Sequence, residues 1–342
     1  MKEFFEFLQN FMFDPSRLYT AMAALFVVCL VGMVTGPMHG NTHPFIWTLV
    51  RALFGTLGQR LNRAQRAVAD RAFRGFILLI LCSILLFLLG DFLSRLAQTY
   101  PLKGMAEVIF LSLALTGGTV WFSLLKLYFA QKEQKVSKGA FYAIAQSTRT
   151  DLSNLDHYGI TRMGMGLAAR TFDKGAVAPV IWYLLMGLPG AYVYAGLAAL
   201  SWLFGKDGND RAFGSVIQAL EKIMGFVPSM FAGALMAMAG LFTPTGGMTR
   251  AVAALGFGHG RAPYEQGGWP LTALAFSLNV SLGGPSIDLE GQSVRRVWVG
   301  PETATAQLEN GHLRRALYMS LICYMLLLAA LLGALFWAGK LF

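Results

Sequence analysis

Phe76-Ile-Leu-Leu-Ile-Leu-Cys-Ser-Ile-Leu-Leu-Phe-Leu-Leu-Gly-Asp-Phe-Leu-Ser-Arg-Leu96 is an almost unbroken apolar run whose only charges, Asp91 and Arg95, come near its end. At 1.5 Å per residue such a run is long enough to cross the roughly 30 Å of bilayer hydrocarbon. Unpaired backbone amides cost several kcal/mol each in lipid, so the run must close its hydrogen bonds internally as a helix. Five further apolar runs, Leu18 to Val34, Val108 to Phe129, Ala176 to Phe204, Phe226 to Phe242 and Leu317 to Trp337, read the same way. The expectation is an all-α polytopic membrane bundle of about six spans.

Composition agrees. Of 342 residues, 55% are hydrophobic and 13% charged, about half the charged fraction usual for a soluble domain, and mean hydropathy is +0.52. Lys2, Glu3, Glu6, Asp14 and Arg17 precede the first run, which differs from the short cationic start of a cleavable signal, so that run reads as a retained anchor. Cys29, Cys82 and Cys323 all fall inside predicted spans, where a thiol acts as a small apolar group, and they imply neither a disulfide framework nor a metal site.

The formal charge of +10 is placed as a topology signal, not as a nucleic-acid patch. Arg51, Arg60, Arg63, Arg66, Arg71 and Arg74 follow the first run, and Lys126, Lys132, Lys135, Lys138 and Arg149 follow the third. Basic residues accumulate on the cytoplasmic side, and alternation of spans puts both stretches there, in contact with anionic lipid. Ala52 to Phe73 reads either as an amphipathic surface helix or as a solvated loop helix.

The run Ala176 to Phe204 is too long for one perpendicular helix and is broken at Gly187-Leu-Pro-Gly190. It is either a kinked, tilted span or a re-entrant pair of half-helices. From Thr243 the chain becomes glycine-rich and polar, with Thr243-Pro-Thr-Gly-Gly-Met-Thr249, Gly256-Phe-Gly-His-Gly260 and Leu282-Gly-Gly-Pro285. Residues 243–315 are expected to form a solvent-facing cytoplasmic region rich in turns. No linker divides the chain, so residues 1–342 read as one membrane domain.

Residues able to carry chemistry are few. His39, His43, His157, His259 and His312 lack metal-ligand spacing, no nucleophile elbow occurs, and paired intramembrane charges of the kind that mark an ion path are not evident in the spans. The densest polar cluster runs from Gln146 to Lys174 and ends at the mouth of the broken run. Arg170 and Lys174 lie four apart, on one face of a helix, where like charges repel unless an anion joins them. With Arg162 they form a candidate site for a phosphate, a carboxylate or an anionic headgroup; the alternative is that they snorkel to the interface as anchors.

At this cluster the sequence resembles the CobD/CbiB family. Thr150-Asp-Leu-Ser-Asn-Leu-Asp-His-Tyr-Gly-Ile160 is similar to the family's Gly-Arg-Asp-Thr segment, with Asp151 at the aspartate. Gly175-Ala-Val-Ala-Pro179 and Gly187-Leu-Pro-Gly-Ala191 with Tyr194 resemble its Gly-Val-Val-Ala-Pro and Gly-Leu-Pro-Gly-Ala-x-x-Tyr. Phe226-Val-Pro228, Gly268-Trp269-Pro270 and Leu282-Gly283-Gly284-Pro285 follow in order, and His43-Pro44 resembles an early His-Pro. The likeness is strongest over residues 145–302.

The resemblance implies a bacterial inner-membrane protein of cobalamin biosynthesis, in which ATP and Mg2+ support amide formation between adenosylcobyric acid and aminopropanol or its phosphate. On that basis Asp151 and Glu221 are the candidate catalytic or metal-binding acids, and a corrinoid or another anion is the expected ligand. His43, Pro179, Pro189, Gly190, Tyr194, Pro228, Trp269, Pro270, Gly283, Gly284 and Pro285 are motif residues that shape turns and packing. The family's acids and amides are largely replaced, however: Gly166, Arg170, Thr171, Lys174, Ala198, Ser201 and Leu271 stand where it has polar ligands. The chain is therefore expected to be a catalytically impaired, pseudoenzyme-like member. AmpE proteins, which also resemble the family, offer the alternative of a non-catalytic membrane modulator.

Overall fold

The computed structural model describes residues 14–37, 40–100, 103–133, 137–153, 155–205, 212–256 and 259–339. Lys2, Glu3, Glu6, His39, Lys135, Asn154, Phe257 and Gly258, named above, lie outside the described residues. The fold is an all-α multi-pass membrane bundle. Its helices are α1 (Pro15–Thr35), α2 (Phe45–Leu61), α3 (Val68–Thr99), α4 (Lys103–Ser112), α5 (Gly118–Lys132), α6 (Lys138–Thr148), α7 (His157–Phe172), α8 (Ala178–Phe204), α9 (Ser215–Phe242), α10 (Met248–Gly256), α11 (Gly268–Leu278) and α12 (Asn310–Ala338).

Among the described residues five helical stretches are long and apolar enough to cross a membrane: α1, α3, the continuous stretch His157–Phe204, α9 and α12. The outer face of α3 displays Phe76, Ile77, Ile80, Ile84, Leu88 and Phe92, each at least 41% exposed. An apolar face of that length is stable only against lipid.

These five agree with the expected bundle of about six spans, and the difference lies at one run. Val108 to Phe129 does not form one helix but breaks between α4 and α5, neither of which is long enough to span. The freed backbone groups find partners inside the protein, as irregular chain at membrane depth requires. The Thr116 amide donates to the Gly175 carbonyl at 2.8 Å and the Ile46 amide donates to the Leu113 carbonyl at 3.1 Å. Thr116 Oγ1 donates to the Thr42 carbonyl at 2.5 Å, and Tyr324 OH to the Thr116 carbonyl at 3.2 Å. Gly118 lets α5 start against α1: a Cβ there would sit 2.0 Å from the Cys29 carbonyl oxygen and 2.4 Å from the Met33 nitrogen. Small residues serve this role wherever membrane helices touch backbone to backbone.

The stretch His157–Phe204 turns back on itself. Gly187 has φ 69° and ψ −158°, a conformation confined to glycine, and Pro189 follows it. A Cβ on Gly190 would lie 2.6 Å from the Trp182 carbonyl oxygen, whereas eight residues of continuous helix would hold these groups about 12 Å apart. Lys174 in the first arm and Tyr194 in the second both reach Glu221. Of the two readings of the Gly187-to-Gly190 break, the paired arms are the one formed. Between α7 and α8 a π-helical turn, Asp173–Val177, widens the first arm, and Pro179 sits in the first turn of α8.

Ala52 to Phe73 is not one helix either; α2 ends at Leu61 and α3 begins at Val68. Arg51 of the first basic stretch and Arg149 of the second line a single cavity of about 430 Å³ with Gln59, Asn62, Trp202 and Glu290. The two stretches thus lie at the same end of the bundle.

The glycine-rich region is only partly solvent-facing. Leu271, Ala273, Leu274, Ala275 and Leu278 of α11 are buried. Beyond it β1 (Leu282–Gly283) pairs antiparallel with β4 (Trp298–Val299), and β2 (Ser286–Ile287) pairs with β3 (Ser293–Val294). This ribbon is tied to the turn before α7, where the Asp151 amide donates to the Ile287 carbonyl at 2.8 Å. Gly283 and Gly284 both hold positive φ, which explains the glycine pair, and Pro285 ends the turn.

Candidate functional site

Five of the seven positions at which the sequence departs from the family pattern, Arg170, Thr171, Lys174, Ala198 and Ser201, converge with Glu221, while Gly166 and Leu271 line only an adjoining cavity. Arg170, Thr171, Lys174, Ala198, Ser201 and Glu221 line one cavity of about 90 Å³, together with His43, Trp47, Arg149, Trp202, Glu265, Asp288 and Arg296. The two arms of the hairpin bring the first five together, α9 supplies Glu221, and the segment before α2 supplies His43.

Lys174 and Glu221 form the core of the site. Lys174 Nζ donates to Glu221 Oε1 at 2.5 Å, and the side chains are only 13% and 3% exposed. The same oxygen accepts from Tyr264 OH at 2.8 Å and Tyr194 OH at 3.3 Å. Lys174 also lies 4.2 Å above the Tyr264 ring, a cation–π arrangement. Burial and the Glu221 charge push the Tyr264 phenol well above its ordinary range, so it remains a donor at any physiological pH. The pair lies just outside the apolar runs read from the sequence, and its partners are 47 residues apart, so no local pattern links them. Asp173, beside Lys174, is 1% exposed, and its Oδ1 has no hydrogen-bond partner among the described residues.

Arg170 donates from Nε to the Gln266 carbonyl and from Nη2 to the Glu265 carbonyl, both at 3.2 Å. Arg162 is held apart from Lys174: its Nη1 donates to the Ala306 carbonyl at 2.6 Å, and it joins Arg170 and Arg296 only in an adjoining cavity of about 30 Å³. Asp151 is not among the lining residues. Its Oδ1 accepts from the Ser153 amide at 2.9 Å and the Ser153 hydroxyl at 2.6 Å, closing a local turn.

His43 forms one wall. Its Nε2 lies 2.9 Å from the Ser147 carbonyl; a carbonyl can only accept, so Nε2 carries the proton. The ring stacks on Trp47 at 4.1 Å and meets Trp202 edge-on at 5.1 Å. Burial, reinforced by the Arg170 charge and opposed by the Ser147 bond, lowers its pKa to about 4. Pro228 precedes Ser229 inside α9, and Trp269, followed by Pro270 in the first turn of α11, packs on Gly233. These motif residues shape the walls without entering the cavity lining.

Trp47, Trp202, Tyr264 and Arg296 complete the site and were not singled out by the sequence. In a chain with 13% aromatic residues an indole or phenol carries no positional signal of its own.

The donor set does not fit a resident Mg2+. Glu221 is occupied by an ammonium and two phenols, Asp288 accepts from the Glu290 and Gln292 amides of its own loop, and basic side chains stand at positions 170 and 174. Among the described residues there is no group of three or more His, Cys, Asp or Glu placed to hold a metal ion. Mg2+ needs near-octahedral oxygen coordination, and the Lys174 charge repels it.

Fold and site together define a multi-pass helical membrane protein with a small charged cavity walled by a helical hairpin. The chain belongs to the CobD/CbiB family: the model of the CobD/Cbib protein family matches residues 22–320. It is 28% identical over 201 residues to the cobalamin biosynthesis protein CobD of Rhodobacter capsulatus, covering 58% of this chain and 61% of that protein. Against CobD of a Sinorhizobium species the identity is 27% over 263 residues, 75% of this chain and 80% of the relative. Against Sinorhizobium fredii CobD it is 25% over 278 residues, 77% and 83% respectively. No solved structure matches the chain.

Proposed function

We propose that this chain acts in cobalamin biosynthesis, in the bacterial inner membrane, as a family member that binds a corrinoid or another phosphate- or carboxylate-bearing ligand without carrying out ATP- and Mg2+-dependent amide formation. The Lys174–Glu221 ion pair carries the reading. It puts an ammonium in the cavity wall and occupies the Glu221 carboxylate that lines the same cavity. Basic groups from Arg170 and Arg296 add to the positive lining, which favours anions.

Complementation tests this directly. The chain should fail to restore corrinoid-dependent growth to a strain lacking an authentic synthase, although it reaches the membrane. Robust growth would overturn the reading.

The orientation proposed is with both basic stretches in the cytoplasm, by the positive-inside bias. Cysteines placed at Arg63 and at Lys138 should escape an impermeant thiol reagent in intact cells and react after lysis. Labelling of either in intact cells would reverse the topology.

A further inference from the structure

The Lys174 ammonium has three N–H groups, and its only hydrogen-bond acceptor among the described residues is Glu221. The other two have no oxygen or nitrogen acceptor there, although the ammonium lies above the Tyr264 ring, and the side chain lines the cavity and retains 13% exposure. A buried ion pair seldom adds net stability over an apolar pair of similar volume, so packing alone does not explain an ammonium with spare donors at this place. Around it stand oxygens of the kind that hold hard cations: Glu221 Oε1, with the Tyr264 and Tyr194 hydroxyls on that same atom. Asp173, beside Lys174 in sequence, is buried and has one carboxylate oxygen with no hydrogen-bond partner among the described residues, though it does not line the cavity. Arg170 and Arg296 line the same cavity.

We propose that Lys174 is a tethered substitute for a divalent cation, joining Glu221 on one side to a phosphate or carboxylate group in the cavity on the other, so that the site takes its anion free of metal. A bound metal ion bridges protein carboxylates to ligand oxygens with its charge; an ammonium fixed at the same junction supplies charge and donors with no metal to recruit. The cavity of about 90 Å³ is the volume of about three water molecules. It suits a single phosphate- or carboxylate-sized group, with any larger part of the ligand lying outside it. This inference rests on reading the cavity as an anion site and is independent of whether amide formation is lost.

The probe is inorganic pyrophosphate with the purified full chain in detergent, followed by calorimetry in EDTA and again with Mg2+. Binding in EDTA at least as tight as with Mg2+ is expected. Lys174→Arg should keep metal-free binding, whereas Lys174→Ala should weaken it by at least about tenfold. Lys174→Ala should also acquire binding of Mn2+, seen as loss of the free-ion electron paramagnetic resonance signal, which the unaltered protein lacks and Lys174→Ala/Glu221→Gln loses again. Pyrophosphate binding that requires Mg2+ overturns the inference while leaving the anion site standing. No pyrophosphate binding under either condition overturns the anion site itself. If Lys174→Ala does not fold, the EDTA comparison on the unaltered protein and on Lys174→Arg decides the matter alone: loss of metal-free binding in the arginine variant counts against a tethered cation.

Discussion

Glu221→Gln is expected to destabilise the protein by roughly 3–5 kcal/mol, because it strands a buried ammonium with no counter-charge. Lys174 is 13% exposed and Glu221 3%, so water screens the pair only weakly. The amide can still accept from Tyr264 and Tyr194, which confines the loss to the charge. Removing both charges together, as Lys174→Met/Glu221→Gln, should recover most of the stability, since an uncharged pair costs no desolvation of ions. Thermal or denaturant unfolding in detergent, arranged as a double-mutant cycle, measures the coupling. A loss below about 1 kcal/mol in the single variant would mean that water reaches the pair.

His43 should make stability fall on mild acidification. In the fold its pKa is lowered to about 4, whereas an unfolded histidine titrates near about 6.5. The stabilising contribution is therefore complete above the unfolded value and is lost as pH falls from there toward the folded one, because only the unfolded chain takes up the proton in that window. The full loss is about 3 kcal/mol, and about 2 kcal/mol of it falls between roughly pH 6.5 and 5, before most carboxylates titrate. His43→Gln, which can still donate to the Ser147 carbonyl, should flatten this part of the profile. A profile identical in the two proteins would show that His43 is reached by water and protonates in place.

The sequence made the membrane class legible because long apolar runs have one physical solution in lipid, and four of the six form single long helices while Ala176 to Phe204 forms parts of both arms of the hairpin. It did not reveal the break between α4 and α5. Hydropathy averages over Leu113 to Gly117, while the break is decided by distant partners: Thr42, Gly175 and Tyr324 take up the polar groups it frees. The Gly187-to-Gly190 break was visible, since glycine and proline act locally, but its reversal of direction depends on how both arms pack. For the site, motif order marked the positions that meet in the cavity. It could not say which way a side chain points, so Asp151 stood beside Glu221 as a candidate although it closes a turn outside the lining. Lys174 and Arg170 were seen as cations seeking an anion, but Glu221 was not recognised as the partner of Lys174.

The hairpin also has a consequence for how the chain enters the bilayer during synthesis. Its first arm carries Arg170, Asp173 and Lys174 within five residues, and each charge near the middle of an inserting helix costs about 2.5–3.5 kcal/mol. Asp173 lies beside Lys174, but the acid that accepts the Lys174 hydrogen bond, Glu221, emerges 47 residues later, on α9. The Lys174–Glu221 pair therefore forms only after both the hairpin and α9 have been made.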